Sequence, residues 1–231
     1  EAADGKCWFQ LYVSGDAAVT ESLLARAEAA GNEVKMVTVD VPAAGKRDRD
    51  IRNQLSVPFK FTPEAIWQCA THPKWALSSL RHGTPNIANY VDLLQSATSY
   101  ADVQKTLIAP GLTWDMLRRL RERWKGTFLV KGILHPQDAA KCVDLGADGV
   151  VVSNHGGRQV AFGPATIEAL PGITETVNGK LKIILDSGIR RGADILRAKA
   201  LGADFAFTGR ALTYGVGAGG AEGAARAMDI L

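Results

Sequence analysis

No apolar run in this sequence reaches the ~18 residues that a membrane-spanning helix needs. Cysteine is scarce. Cys7, Cys69 and Cys142 are odd in number and far apart, which argues against a disulfide framework and for free thiols in a reducing compartment. No Cys/His spacing suits zinc, so no metal site is expected. A strong charge of one sign is missing too: the formal net charge is +3, and with no RNA-binding signature this speaks against a nucleic-acid partner. Glu1 is not an initiating methionine, and no signal-peptide pattern precedes the strand-like run under way by Trp8. The chain stops at Asp229-Ile230-Leu231 within an amphipathic helical pattern. The expectation is that both ends are cuts through a larger domain.

What is present suffices for a core: 46% of the residues are hydrophobic and 22% charged, as in ordinary globular chains. Strand and helix signals alternate. Strands are expected at Trp8–Val13, Val34–Val39, Thr127–Lys131, Asp148–Val152, Lys182–Leu185 and Asp204–Thr208. Helices are expected at Asp16–Ala30, Pro136–Leu145, Pro164–Thr174 and Gly192–Leu201. The strand runs are short and apolar on both faces, as parallel strands covered by helices are. Leu145-Gly146-Ala147-Asp148 and Leu201-Gly202-Ala203-Asp204 repeat a helix-ending glycine before a strand. Such repetition predicts an α/β fold of the TIM (β/α)8 barrel type, incomplete here, with about six of eight βα units. The stretch from about 52 to 113 breaks this rhythm. It is expected as a long inserted loop on the catalytic face, with short helices around Pro63–Ala70 and Pro73–Arg81.

In a barrel the chemistry sits at the C-terminal ends of the strands. Each expected strand delivers polar groups there: Gln10 and Tyr12; Thr38 and Asp40, with Lys46 and Arg47 beyond; Lys131; Ser153, His155 and Arg158; Asp186, Gly188 and Arg190; Gly209 and Arg210. The run Ser153-Asn154-His155-Gly156-Gly157-Arg158-Gln159 sets an acid/base group beside an anion clamp, on backbone that a flat ligand can approach. Asp40 could hold the imidazole, and Arg47 with Arg158 suits a carboxylate. The loops 186–192 and 208–210 read as a phosphate site, because glycines expose N–H groups, helix starts favour anions and arginine clamps them. Each signal has a plainer alternative. A strand-end histidine is often only hydrogen-bonded structure, Lys131 could be a barrel-interior ion pair, and Tyr12 could be core.

These motifs resemble the FMN-dependent α-hydroxy-acid dehydrogenases and oxidases. The resemblance rests on Trp8-Phe9-Gln10-Leu11-Tyr12, Thr38-Val39-Asp40-Val41-Pro42, Gly45-Lys46-Arg47, Leu129-Val130-Lys131-Gly132, Ser153 to Gln159, Asp186 to Gly192, and Gly209-Arg210, in the family's order. The stretch His72-Pro73-Lys74-Trp75 to Arg81-His82-Gly83-Thr84-Pro85 is most similar to the bacterial lactate/mandelate dehydrogenase branch. The resemblance implies FMN as cofactor and residues 1–231 as one FMN-binding barrel domain. It implies His155 as base paired with Asp40, Arg47 and Arg158 on the substrate carboxylate, Tyr12 on its polar end, and Lys131 at the flavin N1/O2 edge. Gln10, Thr38 and Ser153 would hydrogen-bond the ring or ribityl chain. Asp186, Gly188, Arg190, Gly209 and Arg210 would hold ribityl and phosphate.

The implied reaction oxidises a small L-2-hydroxy acid, passing electrons to a quinone or other acceptor. An oxidase using O2 is the near alternative, and a non-redox phosphate-binding barrel or an inactive fragment the distant ones. The implied assembly is a homo-oligomer, a tetramer. The implied place is the cytoplasm, with a peripheral membrane contact through the 52–113 loop as an open alternative. Two departures stand out. Val160-Ala161 replaces the family's Leu-Asp, from which reduced local order is expected. The family's first two barrel strands and its C-terminal helical tail have no counterpart in the 231 residues, so a closed, active barrel is not expected of them alone.

Overall fold

A computed structural model describes residues 7–42, 45, 48, 52, 62–83, 89, 111–160 and 162–231. The chain divides into two compact units, one from Glu1–Lys46 and Ile108–Leu231, the other Arg47–Leu107. The first unit holds a parallel six-stranded sheet in chain order: β1 (Phe9–Tyr12), β2 (Val34–Thr38), β3 (Thr127–Lys131), β4 (Gly149–Val152), β5 (Lys182–Leu185) and β6 (Phe205–Ala206). Sequential parallel pairing needs a crossover between neighbours. The unit's helices supply them: α1 (Ala17–Ala29), α4 (Trp114–Arg123), α5 (Pro136–Asp144), α6 (Thr166–Val177), α7 (Gly192–Ala200), and α8 (Arg210–Ile230) after β6. The second unit contains α2 (Pro63–Thr71) and α3 (Pro73–His82), at the places where the sequence predicts short helices.

The helix starts follow their sequence. Asp16 accepts the Ala18 N–H at 2.8 Å, and Thr113 that of Met116 at 3.3 Å. Gly31, Gly146 and Gly202 follow α1, α5 and α7 in left-handed conformations (φ 74°, 72° and 101°), closing each helix before its strand. Three differences from expectation are local. Helix α4 was not expected, α6 runs three residues longer than its expected end, and β6 is a two-residue pair instead of five. Asp115 near the start of α4, the Thr113 cap and buried Leu117 and Leu120 explain that helix.

Strand alternation sorts the sheet into two faces. One face packs Met36, Leu129, Val151 and Ile184 together, with Val34 and Phe207 against them. The other buries Leu11, Val37, Phe128, Val130, Val150, Ile183 and Leu185, while the helices bury Leu23, Leu24, Leu117, Leu170 and Ile173. Trp8, before β1, meets Phe207, after β6, edge to face at 5.7 Å. The two ends of the sheet therefore curl toward each other around the first apolar cluster. This is an incomplete (β/α)8 barrel. Cys142 is fully buried, and burial pushes its thiol up to about 12, so it is packing material.

Lys35 is the exception on the helix-facing side. It is 0% exposed. Its ammonium donates to the Leu120 carbonyl at 3.2 Å and lies over the Trp124 and Phe128 rings, 4.9 and 5.1 Å from their centroids. Desolvation brings its pKa down to about 8 from 10.5.

Candidate active site

The barrel's inward face becomes polar where the strands end. Two residues beyond the apolar layer Met36, Leu129, Val151 and Ile184 stand Thr38, Lys131, Ser153 and Asp186, which alternation turns to the same side. Thr38, Lys131 and Ser153 are buried. The Lys131 ammonium lies 3.6 Å from Asp186 Oδ2, and the Ser153 hydroxyl donates to the same oxygen at 2.7 Å. The ion pair left open for Lys131 by the sequence is thus formed, with Asp186 as its partner. Nearby, the Gln10 amide donates to Thr38 Oγ1 at 2.9 Å and to the Tyr12 hydroxyl at 3.1 Å.

His155 stands on a 3-10 turn, His155–Gly157, directly after β4. Its backbone is left-handed at φ 57°, a strained conformation for a residue with a Cβ and typical of functional turns. Ser153 Oγ accepts the His155 N–H at 3.1 Å, and Asn154 Oδ1 that of Gly157 at 3.1 Å. His155 Nδ1 meets Asp40 Oδ1 at 3.1 Å. A carboxylate only accepts, so Nδ1 is the donor in this bond, and the neutral ring has its lone pair on Nε2. Asp40 Oδ2 is buried with no hydrogen-bond partner among the described residues. Room for Asp40 comes from Gly132, at φ 106°: a Cβ there would stand 2.5 Å from Asp40 Cβ and 2.8 Å from Cγ. The Tyr12 and His155 rings are 6.3 Å apart between centroids.

Lys131, His155, Arg158, Asp186, Gly188, Arg190, Gly209 and Arg210 share one cleft of about 190 Å³, with Gly156, Ser187, Ile189 and Phe207. The structure therefore gathers the residues expected after β3, β4, β5 and β6. Gln10, Tyr12, Thr38 and Asp40 connect to that group through the hydrogen bonds and ring contact above. Lys46 and Arg47 lie outside the described residues, as does Ala161. Ser187, Thr166 and Gly132 hold the site together and were not singled out by sequence reasoning. The Ser187-Gly188 turn dipeptide was the available signal for the first, and Gly132, directly after Lys131, for the last.

A model of the family described as FMN-dependent dehydrogenase matches residues 1–231. The chain belongs to the FMN-dependent dehydrogenase family. It is 42% identical over 227 residues to an L-lactate dehydrogenase of Haemophilus influenzae (strain PittEE), covering 96% of this chain and 59% of that protein. It is 40% identical over 232 residues to an L-lactate dehydrogenase of Pseudomonas syringae pv. syringae, covering 99% and 61%. Among solved structures, the monotopic membrane protein (S)-mandelate dehydrogenase superposes with a TM-score of 0.91 at 35% identity, over 98% of this chain and 60% of that one. A mandelate oxidase matches with a TM-score of 0.76 at 34% identity, over 99% and 56%. The chain spans about 60% of the length of these L-lactate dehydrogenases.

The donors in the cleft suit the family's cofactor. Lys131, Arg158, Arg190 and Arg210 line the cleft together with a single carboxylate, Asp186, an excess of positive charge that favours a phosphate dianion. At Gly209 the backbone is ordinary (φ −109°), and a Cβ would meet nothing within 4 Å among the described residues. The space in front of α8 is open to a group that approaches the backbone closely.

Proposed function

We propose that this chain carries the FMN-binding and proton-abstracting side of an enzyme that oxidises an L-2-hydroxy acid of the lactate or mandelate type to the 2-oxo acid. The observation that carries this reading is the His155–Asp40 pair, whose imidazole opens into the cleft that Lys131, Arg158, Arg190 and Arg210 line. In this reading residues 1–231 are one barrel domain, with 52–113 inserted into it, and the assembly is a homotetramer.

His155 Nε2 takes a proton from the substrate, and the imidazolium that results is stabilised by Asp40 through Nδ1. Arg158, with Arg47, binds the carboxylate, and Tyr12 its polar end. With FMN bound, Lys131, its position set by Asp186, would lie by the flavin N1/O2 edge. Gln10, Thr38 and Ser153 supply hydrogen bonds to the ring and ribityl chain. Asp186, Gly188, Arg190, Gly209 and Arg210 hold ribityl and phosphate. Bound FMN supplies the two-electron acceptor. The final acceptor in this reading would be a quinone or a similar compound. Anaerobic loss of flavin absorbance on adding L-lactate or L-mandelate to the full-length protein is expected, and no bleaching by any L-2-hydroxy acid refutes the reading. Peroxide formation at the full turnover rate would assign the oxidase reaction in place of the dehydrogenase.

A peripheral membrane contact is proposed for α2 and α3. Neither helix buries a residue, and Ile66, Trp67, Trp75, Leu77 and Leu80 are exposed beside Lys74 and Arg81. The contact proposed is with one face of the bilayer; no helix among the described residues is long and apolar enough to cross a membrane. Co-sedimentation with anionic vesicles, lost in Trp67→Ser/Trp75→Ser, is expected; unchanged sedimentation of that variant refutes it.

A further inference from the structure

The loop carrying His155 is held from the neighbouring strand end by a residue whose own backbone is strained. Ser187 follows Asp186 with φ 77°, in the region where glycine is relaxed and a residue with a Cβ is not. Its hydroxyl accepts the N–H of Gly156, the residue directly after His155, at 2.9 Å. Its carbonyl accepts the hydroxyl of Thr166 at 3.1 Å, and Thr166 is buried at the start of α6. On the far side of Gly156, Arg210 Nη2 donates to its carbonyl at 2.9 Å. Gly156 is thus gripped at both of its peptide groups, from the β5 loop and from the first residue of α8.

That grip matters because of what it restrains. His155, Gly156 and Gly157 are left-handed in succession, at φ 57°, 66° and 71°. Two of the three are glycines, for which many other backbone conformations are equally open. If the Gly156 N–H is released, the peptide that sets the direction of the imidazole can rotate. A glycine at 187 would relieve the backbone strain but could not make this bond. We infer that Ser187 is a positioning residue for His155, tying the loop proposed to hold the cofactor to the loop that carries the base. The inference rests on the reading of His155 as base, and Ser187 itself takes no part in proton transfer.

The test is Ser187→Gly in the full-length holoenzyme, with three readouts: thermal melting, steady-state kinetics, and amide hydrogen exchange of the 153–160 segment by mass spectrometry. The result expected is a Tm equal to or above that of the parent, full FMN content, kcat lower by about 10-fold or more with KM within about 3-fold, and exchange in 153–160 faster by about 10-fold. Ser187→Ala, which keeps the Cβ and removes the hydroxyl, gives the same loss of kcat. A residue serving only the turn would instead give Ser187→Gly with a raised Tm, parental kcat and parental exchange; that result overturns the inference, as does a fall in kcat with unchanged exchange. The exchange experiment needs no turnover. If the parent oxidises no 2-hydroxy acid, the functional reading fails, while faster exchange in Ser187→Gly still supports the grip on the loop and unchanged exchange still overturns it.

Discussion

Gly132→Ala strikes the point where packing and the proposed chemistry meet. Gly132 follows Lys131 at φ 106°, and its new Cβ would stand 2.5, 2.8 and 2.9 Å from Asp40 Cβ, Cγ and N. The backbone cannot slide away cheaply. The Gly132 N–H is bonded to the Val151 carbonyl at 3.0 Å, and the Lys131 carbonyl accepts the Val39 N–H at 2.8 Å. Holding alanine at this φ costs about 1–3 kcal/mol, and overpacking adds about 1–3 kcal/mol. A total of about 2–6 kcal/mol corresponds to a Tm lower by about 4–24 °C for a domain of this size. Part of the clash can be relieved by moving Asp40, which breaks its bond to His155 Nδ1 and forfeits a charge-assisted interaction of about 1.5–3 kcal/mol. That route lowers kcat about 10- to 100-fold. The assay pairs a melting curve with kcat for an L-2-hydroxy acid, and Gly163→Ala, whose Cβ would find its nearest neighbours at 3.8 and 3.9 Å, is the neutral control. Gly132→Ala with parental Tm and parental kcat refutes the reasoning.

Asp40→Asn keeps the shape but replaces the anion with a neutral amide. Steady-state kinetics should show kcat about 10- to 100-fold lower with KM changed little, because the lost stabilisation belongs to the protonated imidazole. At Lys35, burial makes the folded protein release a proton at about pH 8 that the unfolded chain keeps until about 10.5. The unfolded state binds more protons across that window, so stability rises with pH there, by up to about 3 kcal/mol; below pH 8 the full penalty remains. Lys35→Met is therefore expected to be more resistant to denaturant than the parent at pH 7 and to lack the rise above pH 8. The Leu120 carbonyl is not orphaned by this change, since it also accepts the Trp124 N–H at 3.1 Å. Equilibrium urea unfolding at pH 7 and pH 9.5 checks both parts.

The fold was legible because short apolar runs and helix-ending glycines recur with little ambiguity. The repeated Gly-Ala-Asp was seen as a helix stop, yet its aspartates do more. Asp148 accepts the Phe128 N–H at 2.8 Å, and Asp204 accepts that of Ile183 at 2.9 Å and the Lys182 ammonium at 2.8 Å. The Lys182 hydrogen bond leads the causes that hold the Asp204 carboxyl below its ordinary range. Spacing along one strand cannot reveal a bond to the strand beside it. The same limit hid Ser187 and Gly132, whose roles exist only across neighbouring loops. Lys35 was invisible for another reason: a lysine in an apolar run looks like a solvated face until the helix that covers it is known. His155, Asp40, Lys131, Arg158, Arg190 and Arg210 were legible because a strand-end position carries its side chain to one rim, and several such ends must share that rim.

The most direct measurement is stopped-flow anaerobic flavin reduction by an L-2-hydroxy acid, comparing the full-length parent with His155→Gln. With His155 as the base, the variant retains FMN and substrate binding while its flavin bleaches about 100-fold or more slowly. Flavin reduction at the parental rate in His155→Gln contradicts the assignment.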